Sequence, residues 1–413
     1  MENFWTPLAM ARSDQSARRR TKIAGRRIEG HTSHHYRKLS RKREGGSTAF
    51  PFVSTAEQLS QHIFLTEESK KDIQEVSEIF PLKIPVFYLN LMDRENPACP
   101  LRKQSVPSKD ELLSTGHIDP LDEQRFLVTP SFIKKYPNRG VFLAASHCAM
   151  FCRFCNRRRF VGRSRHPMHT WEESFDHMKR DGDLTEVIVS GGDPFTLPRE
   201  DFSYMMRRLK NIERIRVIRI STRLPVVCPE GVDKDHFKTL KKSSPIWIVI
   251  HINHPREVSP EFVDVIKKLS ATGASIVSQT VLLRGVNDCP HILLRLFELL
   301  VAQGVKPYYL FQFDEVKGAM HFKVRIQEGI HIMHFLRRHG SGLAMPQYAL
   351  DITGGYGKVP LDYNYVKRRK GTSLHLESPS GDEGIYIDNG KKGLCQDCGI
   401  CGRKTAKVKK MRS

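Results

Sequence analysis

The sequence of 413 residues has no run of 18 apolar residues, so we expect no transmembrane helix. It also lacks the apolar h-region of a secretory signal near its amino terminus. The first residues are rich in arginine, as in a transit peptide, but Glu2 lies early and the segment forms no clean amphipathic face. We therefore predict a cytoplasmic protein.

Acidic residues are scarce relative to basic ones: 45 Asp and Glu stand against 67 Lys and Arg, a net charge of +22. Such an excess suits nucleic acid, an anionic membrane or an anionic ligand. Residues 1–50, however, hold 12 basic residues against 4 acidic ones, and 6 more basic residues follow Cys401. Because most of the surplus lies in the two ends, we interpret it as solvated tails and expect neither a membrane nor a nucleic-acid partner.

Cysteine is not spread along the chain as in a secreted disulfide framework. Six of the 9 cysteines form two tight clusters, namely Cys148, Cys152 and Cys155, and Cys395, Cys398 and Cys401. Tight clusters in a protein without an export signal indicate metal binding. Cys99 and Cys228 have no evident partner and are expected to be inert thiols.

The composition predicts four regions along the chain. Residues 1–48 form a basic arm, and residues 49–140 form a helical and connecting region with a helix across 54–81. Residues 141–360 form the core. Residues 361–413 form an extension with metal-binding cysteines and a basic tail.

The core alternates Val- and Ile-rich runs with amphipathic segments, the pattern of repeated strand–helix units. The predicted strands are 141–146, 186–190, 215–220, 246–252, 275–283, 307–312 and 344–350. The predicted helices lie near 171–180, 200–210, 233–242, 260–270, 290–303 and 325–338. This pattern predicts an α/β fold, a partial (β/α) barrel of parallel strands, whose functional residues collect in the loops after the strands.

The loop after the first predicted strand carries Cys148, Cys152 and Cys155. Three thiolates at this spacing can ligate three irons of a cubane cluster and leave the fourth iron open to a small molecule. A structural zinc site without its fourth ligand is the alternative, but the spacing and Phe154 before the last cysteine argue against it. The motif resembles that of radical S-adenosylmethionine (SAM) enzymes, which implies a [4Fe–4S] cluster and SAM.

The loop after the second predicted strand reads Ser190-Gly191-Gly192-Asp193. It resembles the glycine-rich stretch with which radical SAM enzymes hold the methionyl amino group. A Gly-Gly turn lets backbone approach a ligand closely, although the same residues could form a plain turn.

An ordered set of segments resembles the lysine 2,3-aminomutase family of radical SAM enzymes. The resemblance covers roughly residues 50–401. Its segments are 156–160 (NRRRF), 251–255 (HINHP), 279–289 (QTVLLRGVNDC), 307–309 (PYY) and 351–358 (DITGGYGK).

The resemblance implies a role for each matching residue. Lys358 would form a Schiff base with pyridoxal phosphate (PLP), and Arg139 would bind the phosphate of that cofactor. Arg157 would bind the substrate carboxylate, and Asp314 and Asp351 would bind the substrate ε-ammonium. Further cofactor contacts are expected from the glycine-rich loop and from Phe154, His251 and Gln279. Thr353 and Tyr356 depart from the more uniformly glycine loop of the family.

These residue types are weak signals by themselves. A lysine in a turn is often a surface residue, and a lone aspartate is often a helix cap. Two carboxylates around one ammonium, however, leave a costly negative charge unless a cation fills the site. Since the relatives that act on glutamate carry other residue types here, Asp314 and Asp351 favour lysine as the substrate.

The second cysteine cluster offers three soft ligands for tetrahedral zinc. The resemblance supplies Cys289 as the fourth ligand, across a subunit contact, and so implies a homo-oligomer held by zinc. A second iron–sulfur cluster formed by Cys395, Cys398 and Cys401 is the alternative.

The resemblance implies an L-lysine 2,3-aminomutase that exchanges L-α-lysine and β-lysine and takes electrons from a flavodoxin- or ferredoxin-type donor. Arginine is an alternative substrate. An aminomutase that serves elongation factor P is disfavoured because those relatives lack the tail cysteines. A radical SAM methyltransferase acting on RNA, or a zinc-bridged nucleic-acid binder, would leave Lys358 and the two acids unexplained.

Overall fold

The computed structural model describes residues 50–113, 115–162 and 169–391. The predicted basic arm, the basic tail and Cys395, Cys398 and Cys401 lie outside these residues. Within the described ranges, no helix has both the length and the apolar character needed to cross a bilayer.

The N-terminal region is built from short strands and helices. They are β1 (Phe52–Val53), α1 (Ala56–Ser60), α2 (Glu67–Ile79), β2 (Ile84–Pro85), α3 (Val86–Asn90) and α4 (Pro100–Ser105). The single helix predicted across 54–81 is wrong, because this segment contains two N-caps. Thr55 accepts a hydrogen bond from the Gln58 N–H (3.2 Å) and Thr66 accepts one from the Ser69 N–H (3.1 Å), so a helix begins after each threonine.

A ten-stranded sheet forms the centre of the fold. Its strands are β3 (Leu127–Thr129), β4 (Phe132–Tyr136), β5 (Arg139–Ala145), β6 (Glu186–Gly191), β7 (Val217–Thr222), β8 (Trp247–His251), β9 (Ser275–Val281), β10 (Lys306–Phe311), β11 (Gln347–Ile352) and β12 (Gly357–Pro360). Strands adjacent in the chain are adjacent in the sheet, and β5 to β11 run parallel. All the predicted core strands are confirmed.

Helices lead from each parallel strand to the next. They are α5 (His169–Arg180), α6 (Arg199–Lys210), α7 (Leu224–Val227), α8 (Lys234–Ser243), α9 (Pro260–Ser270), α10 (Pro290–Ala302) and α11 (Ile326–His339). Helix α9 buries Phe262, Val265, Ile266 and Leu269, the face that its sequence predicts. Each such side chain stabilises the fold by about 1.5–3 kcal/mol through burial.

The sheet is open in its hydrogen bonding, with β3 and β12 at its edges. Two contacts connect the chain around β3 and β4 with the chain around β12. The Tyr136 hydroxyl on β4 accepts a hydrogen bond from the Lys358 N–H on β12 (3.2 Å), and the Gly354 N–H donates to the Pro120 carbonyl (2.9 Å). The α/β fold with a partial barrel of parallel strands is therefore confirmed.

A separate antiparallel sheet follows the barrel: β13 (Val366–Lys370), β14 (Ser373–Glu377) and β15 (Glu383–Ile387). Every residue of β13 and β15 is exposed. The sequence of β13, VKRRK, has no alternation of apolar and polar residues, so a search for hydrophobic pattern does not predict this sheet.

Candidate active site

A cavity of 320 Å³ lies at the carboxyl ends of the parallel strands. Most of the predicted site residues line it, as expected for a barrel. They are Cys148, Cys152, Phe154, Cys155, Arg157, Ser190, Gly191, Gly192, Asp193, His251, Gln279, Asp314 and Asp351. Lys358 on β12 reaches the cavity wall through its ion pair with Asp351.

The three cysteines of the first cluster lie in the loop after β5. No three His, Cys, Asp or Glu side chains of the described residues gather closely enough to hold a single metal ion. Cys148, Cys152 and Cys155 all line the cavity at the carboxyl ends of the strands, where three thiolates could each bind a different iron of a cubane cluster.

Burial and the neighbouring Cys152 thiol raise the pKa of Cys155 to about 11. Burial likewise raises the pKa of Cys148 well above its usual value. These thiols therefore keep their protons at neutral pH until a metal displaces them. Two cations approach the same loop: Arg223 Nη1 donates to Cys152 Sγ (2.8 Å), and Lys83 Nζ donates to the Cys148 carbonyl (2.9 Å).

The glycine pair at the end of β6 packs against the cysteine loop. Gly192 donates its N–H to the Ala145 carbonyl (2.6 Å), and a Cβ atom on Gly192 would overlap the His147 carbonyl oxygen. Gly191 has a φ of 107°, which favours glycine. The pair is therefore required to hold the two loops together, a role that its sequence did not reveal.

Asp193 completes this junction. Its carboxylate accepts hydrogen bonds from the Thr222 hydroxyl (2.7 Å) and from the backbone N–H groups of Phe195 (3.0 Å), Arg223 (2.8 Å) and Leu224 (2.9 Å). These four donors occupy the carboxylate, which ties the end of β7 to the glycine-rich loop.

His251 at the end of β8 presents an unsatisfied polar atom. Its Nε2 is buried without a hydrogen-bond partner, and its ring lies 5.4 Å from the ring of Phe154. Burial, with Arg223 nearby, lowers the pKa of His251 to about 3, so the imidazole is neutral. Gln279 lies opposite on β9. An uncharged aromatic wall with one free polar atom fits a nucleoside such as that of SAM.

Arg157 is held by a residue that no motif marks, Glu123. Nε and Nη2 of Arg157 donate to the Glu123 carboxylate (3.0 and 2.6 Å), and Nη1 donates to Ser190 Oγ (3.0 Å). Arg159 donates to the same carboxylate (2.7 Å). Burial raises the pKa of Glu123, but the two guanidinium groups outweigh this effect and hold it at about 2. Glu123 therefore stays charged and fixes the orientation of Arg157.

Asp314 and Asp351 converge on the cavity from the ends of β10 and β11. Burial and the charge of Asp351 raise the pKa of Asp314 to about 7, even though Asn156 Nδ2 donates to its carboxylate (2.7 Å). Lys358 supplies only one ammonium to these two acids, so the charge of the second acid can be neutralised by a second cation.

Lys358 lies opposite Asp351 in the β11–β12 pairing, and their side chains form an ion pair. Lys358 Nζ lies 4.0 Å from the ring centroid of Phe311 and 5.3 Å from that of Tyr309. An amine beside aromatic rings at the cavity wall fits a planar aldehyde cofactor such as PLP.

The loop before Lys358 explains the two departures from the family pattern. Gly355 (φ 80°) and Gly357 (φ 114°) adopt left-handed backbone that favours glycine, whereas Thr353 and Tyr356 do not. The non-glycine residues therefore stand where the chain tolerates a side chain.

Arg139 does not line the cavity. Its guanidinium lies 3.9 Å from the ring centroid of Tyr136, whose hydroxyl accepts the hydrogen bond from the Lys358 N–H. Arg139 is thus linked to Lys358 through Tyr136, and its phosphate-binding role stays a prediction.

Cys289 is a free thiol at the N-terminal end of α10. The other three predicted zinc ligands, Cys395, Cys398 and Cys401, lie outside the described residues. The zinc site therefore stays a prediction.

Comparison of the sequence with known proteins identifies a matching superfamily and several relatives. Residues 144–297 match the radical SAM superfamily. The chain is 35% identical over 357 residues to L-lysine 2,3-aminomutase of Acetoanaerobium sticklandii, covering 86% of each chain. It is 36% identical over 347 residues to L-lysine 2,3-aminomutase of Methanococcus maripaludis, covering 83% of this chain and 80% of the other. It is 34% identical over 317 residues to glutamate 2,3-aminomutase of Clostridioides difficile, covering 76% of this chain and 75% of the other.

Proposed function

The chain belongs to the lysine 2,3-aminomutase family of radical SAM enzymes and is an isomerase, and on this premise we propose that it interconverts L-α-lysine and β-lysine with PLP as a further cofactor. The observation that carries the choice of substrate is the convergence of Asp314 and Asp351 on the cavity that Arg157 also lines. This arrangement offers a cation site at one place and an anion site at another, as a diamino acid requires.

The family implies a [4Fe–4S] cluster and SAM, for which Cys148, Cys152 and Cys155 would be the ligands. Bound together, the reduced cluster and SAM supply hydrogen-atom abstraction, and bound PLP supplies a π-system that makes amino migration accessible. Lys358 would hold PLP, with Phe311 and Tyr309 beside it.

The residues of the chain position the substrate for this chemistry. Arg157, kept in place by Glu123, would bind the carboxylate. Asp314 and Asp351 would bind the ε-ammonium, and Lys358 would leave its ion pair with Asp351 as the substrate enters. Fixing both ends of a flexible chain places one C–H bond for abstraction and removes much of the entropic cost of reaction.

Arginine is the second candidate substrate, because its guanidinium would also satisfy two carboxylates. Glutamate fits less well, since its side-chain carboxylate would meet Asp314 and Asp351 with like charge. Because a glutamate 2,3-aminomutase is among the relatives, turnover of L-glutamate should be compared with turnover of L-lysine.

An anaerobic assay tests the proposal. The protein, with its cluster reconstituted, is incubated with L-lysine, SAM, PLP and dithionite, and β-lysine is sought by chromatography. Formation of β-lysine that depends on SAM and PLP supports the proposal. Absence of β-lysine from a protein that holds its cluster and PLP would contradict lysine as substrate and direct the assay to arginine.

We further expect a cytoplasmic location, a flavodoxin- or ferredoxin-type electron donor, a homo-oligomer, and zinc bound by Cys289 with Cys395, Cys398 and Cys401. The metal content of the purified protein and its mass in solution test the last two.

A further inference from the structure

Arg223 at the end of β7 is a buried arginine that contacts a cysteine of the cluster loop. The residue is 7% exposed, and its Nη1 donates to Cys152 Sγ at 2.8 Å. Its backbone N–H donates to Asp193 (2.8 Å), so the glycine-rich loop holds the residue in place. No motif of the sequence marks Arg223.

The other side of the guanidinium faces its counter-charge. Nη2 donates to Glu257 (2.7 Å) and to Gln104 Oε1 (2.7 Å). Glu257 is fully buried and accepts further hydrogen bonds from the Asn253 N–H (2.7 Å) and the Tyr88 hydroxyl (2.7 Å). These contacts hold the ion pair in one orientation, in which the Arg223 guanidinium lies between the Cys152 sulfur and the Glu257 carboxylate.

We propose that Arg223 sets the reduction potential of the iron–sulfur cluster by donating a charged hydrogen bond to Cys152. This inference rests on the proposed function, because it requires that Cys148, Cys152 and Cys155 hold a cluster. Reduction adds one negative charge to the cluster, and a buried guanidinium beside a ligand sulfur stabilises the reduced form. Low local polarity strengthens this effect, since little water screens the two charges.

A purely structural role is the competing explanation, because Arg223 also joins β7 to Glu257. Such a role would change the stability of the protein but not the potential of an intact cluster. The reduction potential is therefore the decisive quantity, and Arg223 acts as a positioning residue through Cys152.

The experiment is a redox titration of the reconstituted protein with dithionite, followed by electron paramagnetic resonance of the reduced cluster. Arg223→Gln should lower the ratio of reduced to oxidised cluster about tenfold at the wild-type midpoint, which is a shift of about 59 mV for one electron. Arg102→Gln is the matched control. Arg102 is also 7% exposed, but it donates to the carbonyls of Phe64 and Arg94 and should leave the potential unchanged.

Gln104→Glu provides a second variant in case Arg223→Gln fails to hold its iron. The Nε2 of Gln104 is buried without a hydrogen-bond partner, so the exchange sacrifices no donor contact. A carboxylate beside Arg223 would offset its charge and should also lower the potential. Unchanged potentials in variants with full iron and sulfide content would overturn the inference alone. A wild-type protein that assembles no cluster would overturn the proposed function and the inference together.

Discussion

Lys358 and Asp351 face each other across β11 and β12, and their side chains form an ion pair at the wall of the cavity. This pair places an amine and an acid at one point of the site, although they are separated by seven positions in the sequence. A substrate ammonium would take the place that Lys358 holds beside Asp351, so binding of a cationic side chain there requires that this ion pair opens.

Replacing Lys358 with alanine should abolish turnover but leave the iron content unchanged. The change removes the amine that would bond to PLP and does not touch the cysteine loop. Turnover and iron per protomer are measured together. Lys367→Ala is the control, because Lys367 lies on β13 and pairs with Glu377 (2.9 Å) away from the cavity. Full activity of Lys358→Ala would contradict the assignment of the cofactor lysine.

Asp314→Asn should raise the KM for lysine without loss of the cluster. It removes one charged hydrogen bond to the ε-ammonium, which contributes about 1.5–3 kcal/mol and corresponds to roughly a 10- to 150-fold weaker affinity. Steady-state kinetics on protein of known iron content give the comparison. An unchanged KM would rule out this role for Asp314.

The affinity for lysine should fall as the pH is lowered through about 7. Burial and Asp351 raise the pKa of Asp314 to about 7, so its carboxylate gains a proton in that range and loses its attraction for the ammonium. The measurement is kcat/KM for lysine across the pH range of stability. Asp314→Asn should flatten the acidic limb, and a limb that persists in the variant would point to another group.

The motifs of this chain were accessible to prediction because each is local. The Val- and Ile-rich runs predict β5 to β11, and they place Cys148, Cys152 and Cys155 in the loop after β5. Glu123 and Arg223 were missed because their partners, Arg157 and Cys152, lie far away in the sequence. An isolated charged residue has no periodicity, and only the folded chain shows which partner it meets.

For the same reason, the contact between the Gly-Gly pair and the cysteine loop could not be predicted from the sequence, and the ligand-binding role of the pair stays a prediction. The sequence shows that two glycines lie at the end of β6, but not which atoms pack against them. The structure gives the answer, because the backbone of the cysteine loop occupies the space that a Cβ on Gly192 would need. Arg139 is different, because Tyr136 pairs with it directly across the β4–β5 hairpin, and only the link from Tyr136 to Lys358 depends on how the two ends of the sheet meet.

In protein without substrate, Asp314→Asn should stabilise the fold, and more so at high pH. The native pKa of about 7 exceeds the ordinary value of 3.8, so the native state binds more protons than the unfolded state between these values. Stability therefore falls as the pH rises through this window, and the full penalty, on the order of a few kcal/mol, applies above it. Melting temperatures of both proteins at about pH 5 and about pH 8 should show a gap that widens with pH, and a constant gap would contradict the raised pKa.

Gly192→Ala should lower the iron content of the protein and destabilise it. The added Cβ would overlap the His147 carbonyl oxygen, which belongs to backbone and cannot turn aside as a side chain would. The loop after β5 must then move, and with it Cys148, so the ligands would leave the positions that a cluster needs. Overpacking of this kind typically lowers the free energy of unfolding by about 1–3 kcal/mol.

Gly342→Ala is the control, since a Cβ there meets nothing within 4 Å. Iron per protomer and thermal unfolding are measured on both variants. Iron content equal to that of the control would show that the two loops need not touch for the cluster to assemble, whereas a loss confined to Gly192→Ala would identify their junction as a requirement for the site.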